Sequence, residues 1–114
     1  MAWKNSIVLV SFPLDDLSTT KVRPALCLTE AAGGHDHVVV AFITSHVPGD
    51  LDSTDVVIPP THPNFVQTGL KVASVIRLRR LMTLSAGIIR RRLGSLPDAL
   101  QAETQAGLRQ LFGL

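Results

Sequence analysis

The sequence predicts a mainly β fold: a small, strongly bent antiparallel sheet or barrel with one C-terminal α-helix closing an end. Three observations predict it. Short β-branched and apolar runs recur between Ile7 and Leu93, the connections between them are rich in Gly, Pro, Asn and Asp, and the apolar period becomes helical only after Gly94. The chain has 114 residues, 46% of them hydrophobic and 18% charged, which suits one self-supporting core and excludes disorder.

Ile7 to Phe12 is dense in β-branched residues and stops at Pro13, so it reads as a buried strand. Leu14 to Lys21 is polar and rich in turn formers, the pattern of a long loop. Arg23-Pro24 opens a second strand over Ala25 to Thr29, because a proline at a strand's beginning can turn its missing N–H outward. Ala31 to Asp36 is a glycine-bearing turn, and His37 to Ile43 is a third strand, apolar on both faces and therefore central. These three make a β-meander.

Between Thr44 and Asn64 prolines punctuate the chain, with Asp55 to Ile58 as a short strand among them. Val72 to Leu78 follows, its alternation setting Val75, Arg77 and Arg79 on one face so that two arginines project side by side. Ile88 to Leu93 is the final short strand. Leu96, Leu100, Leu108, Leu111 and Phe112 then recur at helical spacing, with Ser95 as N-cap and Pro97-Asp98 in the first turn. Gly107 weakens that helix by about 1 kcal/mol relative to alanine, so packing must hold it.

The net charge is only +2, yet the charge is segregated. Arg77, Arg79, Arg80 and Arg90 to Arg92 lie in one stretch, whereas Asp15, Asp16, Asp50, Asp52 and Asp55 lie in two others. A solvated face is one reading of this layout; a polyanion or acidic protein segment as partner is the other. No apolar run approaches the roughly 18 residues that cross a bilayer, and the first residues do not resemble a signal peptide. A single cysteine excludes an internal disulfide, so a reducing, cytoplasmic setting is expected.

No phosphate loop, nucleophile elbow or paired-cysteine spacing occurs, and no cofactor is expected. His35-Asp36-His37 lacks further ligands at usable spacing and reads as exposed turn histidines, not as a metal site. Cys27 lies in an apolar strand without an adjacent histidine and reads as core filler. Arg23, where the long loop meets strand two, and Thr44-Ser45-His46, at the exit of strand three, are more informative. Neighbouring strands can bring these ends together. A guanidinium fork with hydroxyl donors is the equipment for holding a phosphate whose charge grows in a transition state. The competing reading pairs Arg23 with Asp15 or Asp16 and leaves Thr44 to satisfy a strand end.

At these residues the sequence resembles the MazF/PemK (Kid) family, the toxins of type II toxin-antitoxin systems also known as mRNA interferases. Ile7 to Leu14 is similar to the family's first block, Arg23-Pro24-Ala25-Leu26-Cys27-Leu28 to its Arg-Pro-Ala-Leu-Val-Leu signature, and Ile43-Thr44-Ser45-His46 to its Ile-Thr-Ser-Gln element. Gly69-Leu70-Lys71, Ser74 to Leu78, Thr83-Leu84 and Gly94-Ser95-Leu96 recur in family order, so the likeness spans almost the whole chain as a single domain, 1–114.

The resemblance implies an SH3-like barrel of the CcdB/Kid/MazF type with a C-terminal helix, a homodimer, a cognate antitoxin and metal-independent cleavage of single-stranded RNA. There the ribose 2′-hydroxyl attacks its own phosphate. Arg23 matches the family's catalytic arginine, which stabilises the phosphorane and could donate the leaving group's proton, and Thr44 matches its catalytic threonine; Arg77 corresponds to a second arginine. RNA contacts are expected from Lys21, Ser45, Arg77 and Arg79, with the remaining arginines tracking phosphates.

Three positions depart from the pattern: Asn5-Ser6 replaces Gly-Asp, His46 replaces the glutamine, and Arg79 stands where the family has an acid two residues beyond the second arginine. That acid is the general base in one branch, and arginine cannot serve. Histidine takes up protons near neutral pH, so His46 is the candidate base. The alternative reading is a non-catalytic RNA- or protein-binding barrel of the same fold that has lost turnover; a structural dimer module is a third.

Overall fold

The computed structural model describes residues 2–13, 20–47 and 49–114, the side chains of 12, 13, 20 and 21 excepted. The strands are β1 (Ser6–Pro13), β2 (Thr20–Cys27), β3 (His37–Thr44), β4 (Val56–Ile58), β5 (Ser74–Ser85) and β6 (Ile89–Ser95), followed by α1 (Asp98–Phe112). They form one antiparallel sheet in the order β4-β5-β3-β2-β1-β6, curled into a half-barrel with β4 and β6 at its edges. The expected meander and the central place of the third strand are both present.

Alternation gives the curled sheet two apolar sides. Ile7, Leu26, Ala41, Ile43, Ile76 and Leu78 pack with β4, Leu96 and Leu100, whereas Val8, Val10, Ala25, Cys27, Val38, Val40 and Leu84 pack on the other side under Trp3, Phe42 and Ile89. Helix α1 lies on the first of these. A Cβ at Gly107 would stand 2.6 Å from Leu78 Cδ1 and 3.3 Å from the Thr54 carbonyl oxygen. The residue that weakens the helix is thus the one that lets it approach β5.

Local details differ from the sequence expectation in four places. Thr20 and Lys21 belong to β2 and pair with Pro13 and Phe12, so the loop is shorter at this end; residues 14–19 lie outside the described residues. Pro24 sits inside β2, not at its start. Leu28 donates to the Val39 carbonyl across β3, so by alternation the Pro24 nitrogen faces the same side, and with no N–H to give, it stands one residue beyond the Ala25–Phe42 pair at which the β2/β3 ladder ends. β5 begins later and runs further than Val72 to Leu78, because three residues, Leu78 to Arg80, bulge between the pairs Phe42–Arg77 and Ala41–Leu81. This bulge turns the corner of the half-barrel and interrupts the alternation a sequence reading relies on. Ser95 ends β6 opposite Ser6 and accepts a bond from Gln67 Nε2 at 3.1 Å instead of capping α1, whose first turn is held by Leu100 and Gln101 donating to the Pro97 carbonyl.

Among the described residues no helix is long and apolar enough to cross a membrane.

Candidate active site

Three pairs fix the β2/β3 register: Ala25 with Phe42, Leu26 with Ala41 and Cys27 with Val40. Continued outward by two residues, this register sets Arg23 opposite Thr44. Residues opposite one another project to the same side of an antiparallel pair. Val10 flanks Arg23 on β1, and Val75 flanks Thr44 on β5, so the two polar side chains stand in a transverse row of apolar neighbours. Arg23 is exposed and has no ion pair among the described residues; Asp15 and Asp16, its alternative partners, lie outside them.

Beyond Thr44 the chain makes a tight turn closed by that threonine's own hydroxyl. Thr44 Oγ1 accepts the His46 N–H at 3.1 Å and faces the His46 carbonyl at 3.4 Å. The first is an ordinary bond; the second is too long to hold the hydroxyl proton firmly. Thr44 therefore does satisfy its strand end, as the competing reading expects, but through its lone pair, leaving the O–H to turn toward an incoming oxygen. The same turn brings the exposed Ser45 and His46 beside it.

Arg77 lies opposite Phe42 on the same side as Thr44, one alternate position along β5. Its Nε donates to Asp55 Oδ1 at 3.0 Å, and Arg79 Nε donates to Asp52 Oδ2 at 2.8 Å. The two pairs differ in depth. The Asp55 side chain is 1% exposed and also accepts the Asp52 N–H at 2.9 Å, whereas Arg79 is 62% exposed. Asp52 Oδ1 accepts the Thr54 N–H at 2.9 Å and the Thr54 hydroxyl at 2.7 Å. These Thr54 bonds, and after them Arg79, hold the Asp52 carboxyl below its usual range.

Sequence reasoning missed this acidic turn as part of the site. It saw Asp52 and Asp55 only as a charge stretch. The signal was the strand period: Asp55 precedes β4 by one residue, and β4 pairs Val56 with Ile76, which sets Asp55 against Arg77.

The other candidates fall elsewhere. Arg90 Nη1 donates to Ser11 Oγ and Arg92 Nε to the Gly94 carbonyl, both on the β6 edge. Lys21 is the exception: it stands on β2 two residues before Arg23, opposite Phe12, its side chain outside the described residues. His35 and His37 have ring centroids 5.7 Å apart at the opposite end of β3, about 24 Å of strand from Thr44. Among the described residues no group of three potential metal ligands occurs. Cys27 is buried, and desolvation, with Glu30 adding to it, pushes its thiol from 9.0 up to about 11; it is core filler.

Solved structures of the same fold are numerous. Mycobacterium tuberculosis toxin MazF-mt6 is 26% identical, with a TM-score of 0.71 over 96% of this chain and 97% of that one. A MazE-MazF structure from Deinococcus radiodurans is 23% identical, TM-score 0.73, over 96% and 94%. An endoribonuclease in complex with its cognate antitoxin, from a mycobacterial species, is 18% identical, TM-score 0.72, over 100% and 97%, which is likeness of fold alone. No curated protein sequence matches the chain. A family model does, across residues 4–112, and with it the chain belongs to the PemK-like, MazF-like toxins of type II toxin-antitoxin systems.

Proposed function

We propose that this toxin is an endoribonuclease that cuts single-stranded messenger RNA in the cytoplasm without a metal ion. The observation that supports the reading is the β2/β3 register, which, continued two residues past the Ala25–Phe42 pair, would bring Arg23, without an ion pair among the described residues, opposite Thr44 on one side of the sheet. Arg23 would bind the scissile phosphate through its fork and offset the second negative charge of the phosphorane, and the Thr44 hydroxyl would hold a phosphate oxygen. The ribose 2′-hydroxyl gives its proton to His46 and attacks phosphorus; the bond to the 5′-oxygen breaks, and that oxygen leaves with a proton drawn from Arg23 or from water. The products are a 2′,3′-cyclic phosphate and a 5′-hydroxyl. Ser45, Arg77 and Lys21 contact neighbouring phosphates.

The protein acts as a homodimer and is silenced by a cognate antitoxin whose acidic tail folds onto the basic side as it binds, in keeping with the MazE-MazF composition of a structural neighbour. Incubating the purified protein with mixed single-stranded RNA in EDTA tests the proposal. Cleavage that survives chelation, disappears in Arg23→Ala and is lost with retained RNA binding in His46→Ala supports it; unchanged turnover in His46→Ala removes that residue as base. Arg79 in place of an acid favours one rival, a barrel that binds RNA but does not cut it, and binding without cleavage by the unsubstituted protein would establish that rival.

A further inference from the structure

We propose that Asp52 competes with RNA for Arg79, so that this carboxylate sets how tightly the toxin holds the nucleic-acid backbone. The inference rests on the proposed RNA binding and concerns a residue that binding has so far not involved. Three features of the acidic turn carry it. First, the contact is the exposed one of the two pairs and is made through Nε alone, leaving both terminal nitrogens of Arg79 without a hydrogen-bond partner among the described residues. Exposed pairs of this kind contribute little to stability, so an incoming phosphate displaces the carboxylate at small cost.

Second, Asp52 does not depend on Arg79 for its own position. Its other oxygen is fixed by the Thr54 amide and hydroxyl, and its amide is fixed by Asp55, so the negative charge stays beside Arg79 whether or not the arginine turns toward RNA. Third, the neighbouring pair is built differently. Asp55 is buried and bonded through both oxygens, which makes it a permanent support for Arg77 and not a competitor. Of the two arginines, Arg79 is the one whose availability can change.

Asp52→Asn is a clean perturbation because the amide oxygen can still accept both Thr54 bonds while the charge is gone. One phosphate contact on a single strand changes affinity as salt raised to a power of about −0.7. Because the exposed pair with Asp52 is itself weak, freeing Arg79 predicts binding tighter by about two- to fivefold near 50 mM salt, with a smaller gain near 200 mM. The measurement is fluorescence anisotropy with a labelled 2′-O-methyl single-stranded RNA, which cannot be cleaved, titrated against the unsubstituted protein, Asp52→Asn, Asp50→Asn, Arg79→Gln and the Asp52→Asn/Arg79→Gln double variant. Asp50 is exposed and outside the pair, so its variant controls for net charge. The expected result is a gain and a steeper salt slope in Asp52→Asn only, with the double variant matching Arg79→Gln. Equal gains in Asp50→Asn, or no gain in Asp52→Asn while the unsubstituted protein binds, overturns the inference alone. Failure of the unsubstituted protein to bind overturns it together with the proposed function.

Discussion

Replacing Thr44 with valine separates the two jobs assigned to its hydroxyl. Valine keeps the β-branched shape that suits the end of β3, so the only loss is the oxygen. In the folded protein that oxygen accepts the His46 N–H at 3.1 Å, a bond worth about 0.5–1.5 kcal/mol at most and less here, because His46 is exposed and water can replace it. At about 4 °C per kcal/mol for a chain of this size, the melting temperature should fall by about 2 °C. Catalysis should suffer far more. A hydrogen bond to a charged group contributes about 1.5–3 kcal/mol, which converts to a loss of about 10- to 150-fold in kcat/KM. Because the charge on phosphorus is largest in the transition state, most of that loss should appear in kcat. Single-turnover cleavage of a fluorogenic single-stranded RNA beside thermal melting by circular dichroism reads both. A rate within threefold of the parent, or a rate loss accompanied by a melting-temperature drop of more than about 10 °C, would refute the argument.

Three further outcomes follow from packing and burial. In Gly94→Ala the new Cβ would collide with the Gln67 carbonyl oxygen and lie 2.6 Å from the Thr68 carbonyl carbon, both backbone atoms. A cost of about 3 kcal/mol and a melting temperature lower by about 10 °C are expected, and an unchanged melt would contradict the packing of β6 on the Phe65–Thr68 turn. Thr104→Val should stabilise by about 1 kcal/mol in urea unfolding, since Thr104 Oγ1 is buried with no partner among the described residues; destabilisation would reveal a partner. Cys27 should resist iodoacetamide at pH 8 in the folded protein and react in denaturant, and because its thiol stays protonated up to about 11 when folded but only to about 9.0 when unfolded, its contribution to stability should decline as pH rises between those values. Rapid alkylation of the native protein would contradict its burial.

Strand identities were legible wherever one residue period ran undisturbed, as in Ile7 to Phe12 and His37 to Ile43. Legibility failed where tertiary pairing overrode local pattern. The Leu78–Arg80 bulge hid the strand's continuation, since Arg80 falls out of the alternation that Arg77 and Arg79 keep, and only the neighbouring β3 explains why β5 continues. Ser95 has every local qualification for an N-cap, yet its backbone is committed to Ser6 and its hydroxyl to Gln67. Around the site, Arg23 and Thr44 could be matched because each borders a recognisable strand. The Asp52 and Asp55 partnerships could not, since pairing residues 22 and 27 positions apart depends on a three-residue edge strand whose register no local signal fixes.

A double-mutant cycle on Arg23 and Thr44 tests most directly whether the two act on one phosphate. Single-turnover rates would be compared for Arg23→Ala, Thr44→Val and the double variant, with melting temperatures confirming that all are folded. Shared action on the phosphorane predicts that the double variant is little slower than Arg23→Ala alone. Losses that multiply independently would contradict it and separate the guanidinium from the hydroxyl.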